Sequence, residues 1–137
     1  MTRIARYRRP ALVAYVVALF AVTLAPMPST ADMVEVLPIL DRVLAVLDKI
    51  VHSVLFGGLA LLVYWNLDWS ARYAIALRAV GLALVLAALV ELFQSPLPYR
   101  HGDFWDFAAG AVGAVAAAAV VVVLAGKKAR RAPSLGG

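Results

Sequence analysis

Four long apolar runs, separated by short breaks rich in proline and charge, organise this chain. They extend from about Tyr7 to Pro26, Lys49 to Asn66, Tyr73 to Gln94 and Phe104 to Ala125. About 20 mostly apolar residues suffice for a helix to cross the hydrocarbon core of a bilayer, so each run predicts a membrane span. The breaks are chemically explicit. Pro26-Met27-Pro28 closes the first run and Ser95-Pro96-Leu97-Pro98 the third, because a residue before proline avoids the helical region. Between the first two runs, Val36, Leu40, Val43, Leu44 and Leu47 recur at helical spacing among Asp32, Glu35, Asp41 and Arg42. That pattern predicts an amphipathic helix over Met33–Leu47 lying in the membrane interface. The expected fold is an all-α membrane protein: a four-transmembrane-helix bundle over residues 1–126, with a basic tail over 127–137. A second reading of the first run is a cleaved signal peptide, with Ser29-Thr30-Ala31 as the small-residue cleavage site.

Composition sharpens this picture. Of 137 residues, 64% are hydrophobic and 15% charged, against about 45–50% and about 25% in soluble domains. With no cysteine, disulfides, zinc–thiolate centres and thiol catalysis are excluded. The net charge of +5 does not point to nucleic acid, since the basic residues flank apolar runs rather than interleave with aromatics. They instead set orientation. Arg3 to Arg9, Arg72 with Arg78, and Lys127 to Arg131 fall on one side, leaving Arg42, Lys49 and Arg100 on the other. The excess of lysine and arginine places both termini in the cytoplasm, with the protein multi-pass in the cell membrane.

On that topology the remaining polar residues converge. Asp48, Lys49 and His52 open the second span, Glu91 and Gln94 finish the third, and Arg100, His101, Asp103 and Asp106 surround the start of the fourth. All belong to the outer end. Asp48 and His52 are four apart and Glu91 and Gln94 three apart, so each pair shares a helix side. A carboxylate inside a span costs about 2.5–3.5 kcal/mol on insertion scales, so Glu91 should face protein or water. The candidate polar site is therefore His52, Glu91, Gln94, Arg100 and Asp106, joined by Asp48 and Lys49.

Each residue also has a plainer role. Asp103 suits the N-cap of the fourth helix and Asp106 its first turn. Lys49 suits a side chain reaching up to the interface, and Glu91 an internal ion pair. Along the fourth span, Ala109, Gly110, Gly113 and Ala117 form a small-residue stripe that lets helix backbones approach closely; Gly57, Gly58 and Gly81 suggest the same on their helices.

Asp48-Lys49-Ile50-Val51-His52-Ser53-Val54-Leu55-Phe56 with Leu59 resembles the second-span motif of VanZ-like membrane proteins. Glu91-Leu92-Phe93-Gln94, Leu97-Pro98-Tyr99-Arg100, Asp106 and Gly113 resemble that family's second motif. The likeness spans nearly the whole chain. It departs at Gly110, where the family often carries asparagine or aspartate, and at Ala117, where glycine is common. The resemblance implies a bacterial inner-membrane protein acting at the cell envelope, in a family whose name comes from a protein linked to resistance to the glycopeptide antibiotic teicoplanin. It implies no reaction.

The functional expectation is binding or handling of an anionic, lipid-linked or amphiphilic envelope molecule at the outer face, a polyprenyl phosphate or lipid-linked precursor for example. Arg100 would offer a two-pronged contact, and membrane lipids are the other expected partners. One alternative is a membrane-embedded hydrolase using acid–base chemistry or a metal on His52, Glu91 and Asp106. Another is a structural or accessory subunit. No HExxH pattern is present, and the sequence calls for no cofactor and no resident metal.

Overall fold

Helix boundaries in the computed structural model fall where local chemistry puts them. It describes residues 6–25, 38–67, 72–98 and 102–131, the side chains of 38–41, 72 and 128–131 apart. Helix α1 runs Arg8–Leu24 and stops at Ala25, which turns extended (φ −61°, ψ 141°) ahead of Pro26. Helix α2 runs Pro38–Asn66, with proline at the first helical position, where a missing N–H costs nothing. Helix α3 runs Arg72–Gln94; a tight turn follows, with the Ser95 N–H donating to Glu91 O at 3.0 Å and the Leu97 N–H to Gln94 O at 2.9 Å. Helix α4 runs Phe104–Arg131. Asp103 caps it, its Oδ1 accepting the Trp105 N–H at 2.9 Å. No strand occurs among the described residues.

The amphipathic segment expected over Met33–Leu47 is described from Pro38 onward, and there it is the start of α2 rather than a separate element. No glycine or proline interrupts the chain between Pro38 and Gly57, so nothing breaks the helix. At 29 residues, α2 is roughly 44 Å long, longer than a hydrocarbon core of about 30 Å.

Among the described residues, three helices are long and apolar enough to cross a membrane: Arg42–Asn66, Tyr73–Gln94 and Phe104–Lys127. Helix α1 has 17 residues, fewer than the expected span, yet it is tied to its neighbours at both ends. Asn66 Nδ2 at the end of α2 donates to the Arg8 carbonyl at 3.2 Å. At the opposite end, Gln94 Nε2 donates to the Thr23 carbonyl at 2.8 Å. Successive helices therefore alternate in direction. Helix α1 packs against α2 and α3, and α2 pairs most extensively with α4.

Small residues set the core. On α3, Ala76, Ala79, Ala83, Ala87 and Val90 form one buried stripe. Where α2 crosses α4, a Cβ on Gly57 would lie 3.0 Å from the Gly113 carbonyl oxygen, and one on Gly113 would collide with the Ser53 carbonyl. A Cβ on Gly110 would lie 2.7 Å from the Phe56 ring. Gly110 and Gly113 are thus the close-approach positions expected of them. Gly58 leaves room for the Tyr15 hydroxyl, which donates to Leu55 O at 2.9 Å. Gly81 differs from expectation: nothing stands within 4 Å of its would-be Cβ, so it faces away from its neighbours.

The outside of the bundle is apolar, with Val17, Val54, Leu77, Val85, Val112 and Val120 among the exposed residues. Tyr7 and Tyr73 are exposed at one end, and Phe104 and Trp105 at the other. Aromatic side chains at two levels, with an apolar belt between them, match the two interfaces of a bilayer. The described part of the chain is an all-helical protein with three candidate membrane-spanning helices.

Candidate functional site

The inward stripes of three helices each finish in a polar residue at the Phe104–Trp105 end. On α2 the buried series Val63, Leu59, Phe56 leads to His52; on α3, Ala87 and Val90 lead to Gln94; on α4, Ala114, Gly113 and Gly110 lead to Asp106. Because helical positions three and four apart share a side, residues that continue a core stripe must enter the core. His52 and Gln94 are each 1% exposed and Asp106 6%.

Lys49 is at the centre of the charged set. Its Nζ lies 2.9 Å from Asp106 Oδ1 and 3.1 Å from Asp103 Oδ2. It thus joins α2 to the start of α4 rather than simply reaching for the interface. Asp103, outside the spans, is both the helix cap and an ion-pair partner. The Trp105 N–H, and after it the Lys49 ammonium, hold its carboxyl below the ordinary carboxylate range.

Glu91 turns inward, as its insertion cost requires. Its Oε2 accepts the Asp103 N–H at 2.8 Å, while its Oε1 lies 3.9 Å from His52 Nε2. Both of those latter atoms are buried and make no hydrogen bond. The other ring nitrogen, Nδ1, lies 3.1 Å from the Asp48 carbonyl oxygen and 3.9 Å from Asp48 Oδ1. The ring stacks on Phe56, centroids 6.2 Å apart. One ligand atom each from Asp48, His52 and Asp106 can be chosen so that all three lie within 4.8 Å of one another.

A groove of about 490 Å³ opens beside this cluster between α3 and α4. Ala88, Leu92, Phe104 and Phe107 wall it with apolar surface, and Glu91, Ser95 and Asp103 bring polar atoms to it. The site therefore combines a buried acid–histidine cluster with an apolar channel at its side.

The structure brings together His52, Glu91, Asp106, Asp48 and Lys49. Gln94 belongs elsewhere: its amide is used on the Thr23 carbonyl of α1, so it fastens a helix rather than facing a ligand. Arg100 and His101 lie outside the described residues. Sequence spacing missed the pairing of Asp103 with Lys49 and the apolar groove beside Ser95. No local signal marks either one, since Lys49 and Asp103 are 54 positions apart. Among the described residues the site sets four carboxylates (Asp48, Glu91, Asp103, Asp106) against one lysine. No protein-family model matches the chain, and neither the curated proteins nor the solved structures compared with it yield a match.

Proposed function

We propose that this chain is a four-span protein of the cell membrane that binds an amphiphile, head group at the His52–Glu91–Asp106 site and apolar part along the α3–α4 groove. The groove carries this reading: its walls are apolar, it is open at the side of the bundle, and it shares Glu91 and Asp103 with the polar cluster. The four-span count is supported by the anchoring of α1 at both ends of the bundle, which also favours a retained helix over a cleaved signal peptide. Of the described basic side chains, Arg6, Arg8, Arg9, Arg78 and Lys127 belong to the end opposite the site and only Arg42 and Lys49 to the site end, an imbalance that supports cytoplasmic termini and an outward-facing site. The likeness to VanZ-like proteins agrees with such a place at the envelope.

An anionic head group, a polyprenyl phosphate for example, requires positive charge. Lys49 supplies one, and Arg100 belongs to the segment just before Gly102. Against four carboxylates, a phosphate head would enter most readily with an accompanying cation.

The test uses the purified full chain in lipid nanodiscs with a photoactivatable alkyl phosphate, the labelled peptides being mapped by mass spectrometry. Labelling should concentrate in residues 88–107, fall when Leu92→Trp fills the groove, and fall with Arg100→Ala while protein levels stay constant. Uniform labelling of the outer belt, at Leu77 and Val120 as much as at Leu92, would overturn the reading. Hydrolysis is a second reading, favoured by one observation: Glu91 lines the groove and faces His52. Release of phosphate from the same probe, lost in Glu91→Gln, would select it over binding alone.

A further inference from the structure

We infer that Asp48, His52 and Asp106 hold a divalent cation, with Glu91 bracing the far side of the histidine ring. Oxygen acceptors face both of its nitrogens: the Asp48 carbonyl and Oδ1 near Nδ1, and Glu91 Oε1 near Nε2. A neutral imidazole carries one N–H and one lone pair. Whichever nitrogen bears the proton, the other directs its lone pair at an oxygen, and His52 is 99% enclosed, at 1% exposure. Positive charge at either nitrogen relieves that mismatch.

A metal ion on Nδ1 would supply it, with the Asp48 carbonyl, 3.1 Å from that nitrogen, as a further oxygen ligand. Two atoms bound to one ion at about 2.1 Å lie roughly 3.0 to 4.2 Å apart, depending on the bond angle. Asp48 Oδ1 stands 3.9 Å from Nδ1, and the Asp106 carboxylate completes a set within 4.8 Å, which a small carboxylate rotation closes. Lys49 engages Asp106 Oδ1, and a carboxylate has a second oxygen to offer. With the ion on Nδ1, Nε2 carries the hydrogen and faces Glu91 Oε1 at 3.9 Å, so a small side-chain shift pairs the two buried atoms that otherwise lack a partner. Carboxylate, histidine and metal in line is the usual way a ligating imidazole is oriented. One imidazole with carboxylates suits zinc or manganese, whereas calcium and magnesium prefer oxygen alone.

This site stands on its own geometry and does not depend on amphiphile binding; no amphiphile enters its test. The chain is purified whole in detergent and stripped with a chelator. Zn²⁺ binding is then measured by calorimetry, and Mn²⁺ by electron paramagnetic resonance with detection of ¹⁴N coupling. One ion per chain is expected, with nitrogen coupling in the wild-type protein, a readout that needs no variant. His52→Gln should abolish the coupling. Asp48→Asn, on the partly exposed rim of the site, should weaken Zn²⁺ at least tenfold while the fold is retained by circular dichroism. Glu91→Gln should weaken it about 10- to 100-fold and leave the coupling in place. Absence of saturable Zn²⁺ and Mn²⁺ binding, bound Mn²⁺ without nitrogen coupling, or unchanged affinity in a folded Asp48→Asn would overturn the inference.

Discussion

Lys49 on α2 holds Asp106 on α4, Nζ to Oδ1 at 2.9 Å, at the place where two long helices converge. The Asp106 side chain is 9% exposed and that of Lys49 37%, so the carboxylate is the more enclosed partner. Removing the lysine would leave a buried anion without its counter-charge. Lys49→Met should therefore destabilise the protein by about 1–3 kcal/mol, and the double variant with Asp106→Asn should recover part of that loss. Thermal unfolding in detergent reads both.

Gly113 and Gly81 offer a matched comparison on neighbouring helices. A methyl group at Gly113 would collide with the Ser53 carbonyl, so Gly113→Ala should cost about 1–3 kcal/mol, and Gly113→Val more. Gly81 meets nothing within 4 Å, so Gly81→Ala should be neutral, or stabilising by up to about 1 kcal/mol through helix propensity. Equal effects at the two positions would contradict the packing described.

The bond from Gln94 to Thr23 ties α1 to the end of α3. Gln94→Leu leaves the Thr23 carbonyl unpaired in a buried setting and should cost about 1–3 kcal/mol. Limited proteolysis should show faster cutting near α1 in this variant than in the wild-type chain. The intact mass of the membrane-extracted wild-type protein should include α1.

Topology is open to direct measurement. Reporters fused at Gly137 and inserted between Pro98 and Gly102 should register opposite compartments, the first cytoplasmic. Two reporters on the same side would exclude an even number of crossings before the tail with an outward site.

Asp103 makes a pH-dependent contribution whose sign follows from its lowered pKa. The folded state binds its proton less readily than the unfolded chain does, whose value is about 3.9. Its stabilisation is complete above that value and disappears as pH falls through the lowered folded value. Asparagine still caps a helix, so Asp103→Asn isolates the charge. The melting-temperature gap between wild type and Asp103→Asn should stay level from about pH 8 to 5 and narrow below about pH 4. With the side chain 41% exposed, solvent screening keeps that gap small.

What the sequence determined by itself is what short-range physics controls. Proline after Ala25 and after Ser95 ended two helices, Asp103 capped a third, and the apolar runs were long enough to predict the spans. The topology set by lysine and arginine brought Asp48, His52, Glu91 and Asp106 to one end without coordinates, and the insertion cost of a carboxylate turned Glu91 inward. Partner choice was a different matter. In a membrane helix the lipid-facing side is as apolar as the core, so periodicity leaves the rotation of each helix about its axis undetermined wherever no polar or small residue marks it. Only packing decided that Gly113 rather than Gly81 meets a neighbour, that Gln94 turns to α1 rather than into the site, and that Lys49 reaches residues 54 and 57 positions away. It also decided that the amphipathic stretch from Pro38 continues into α2. The distances around His52, on which the chemistry depends, arise only where three helices converge.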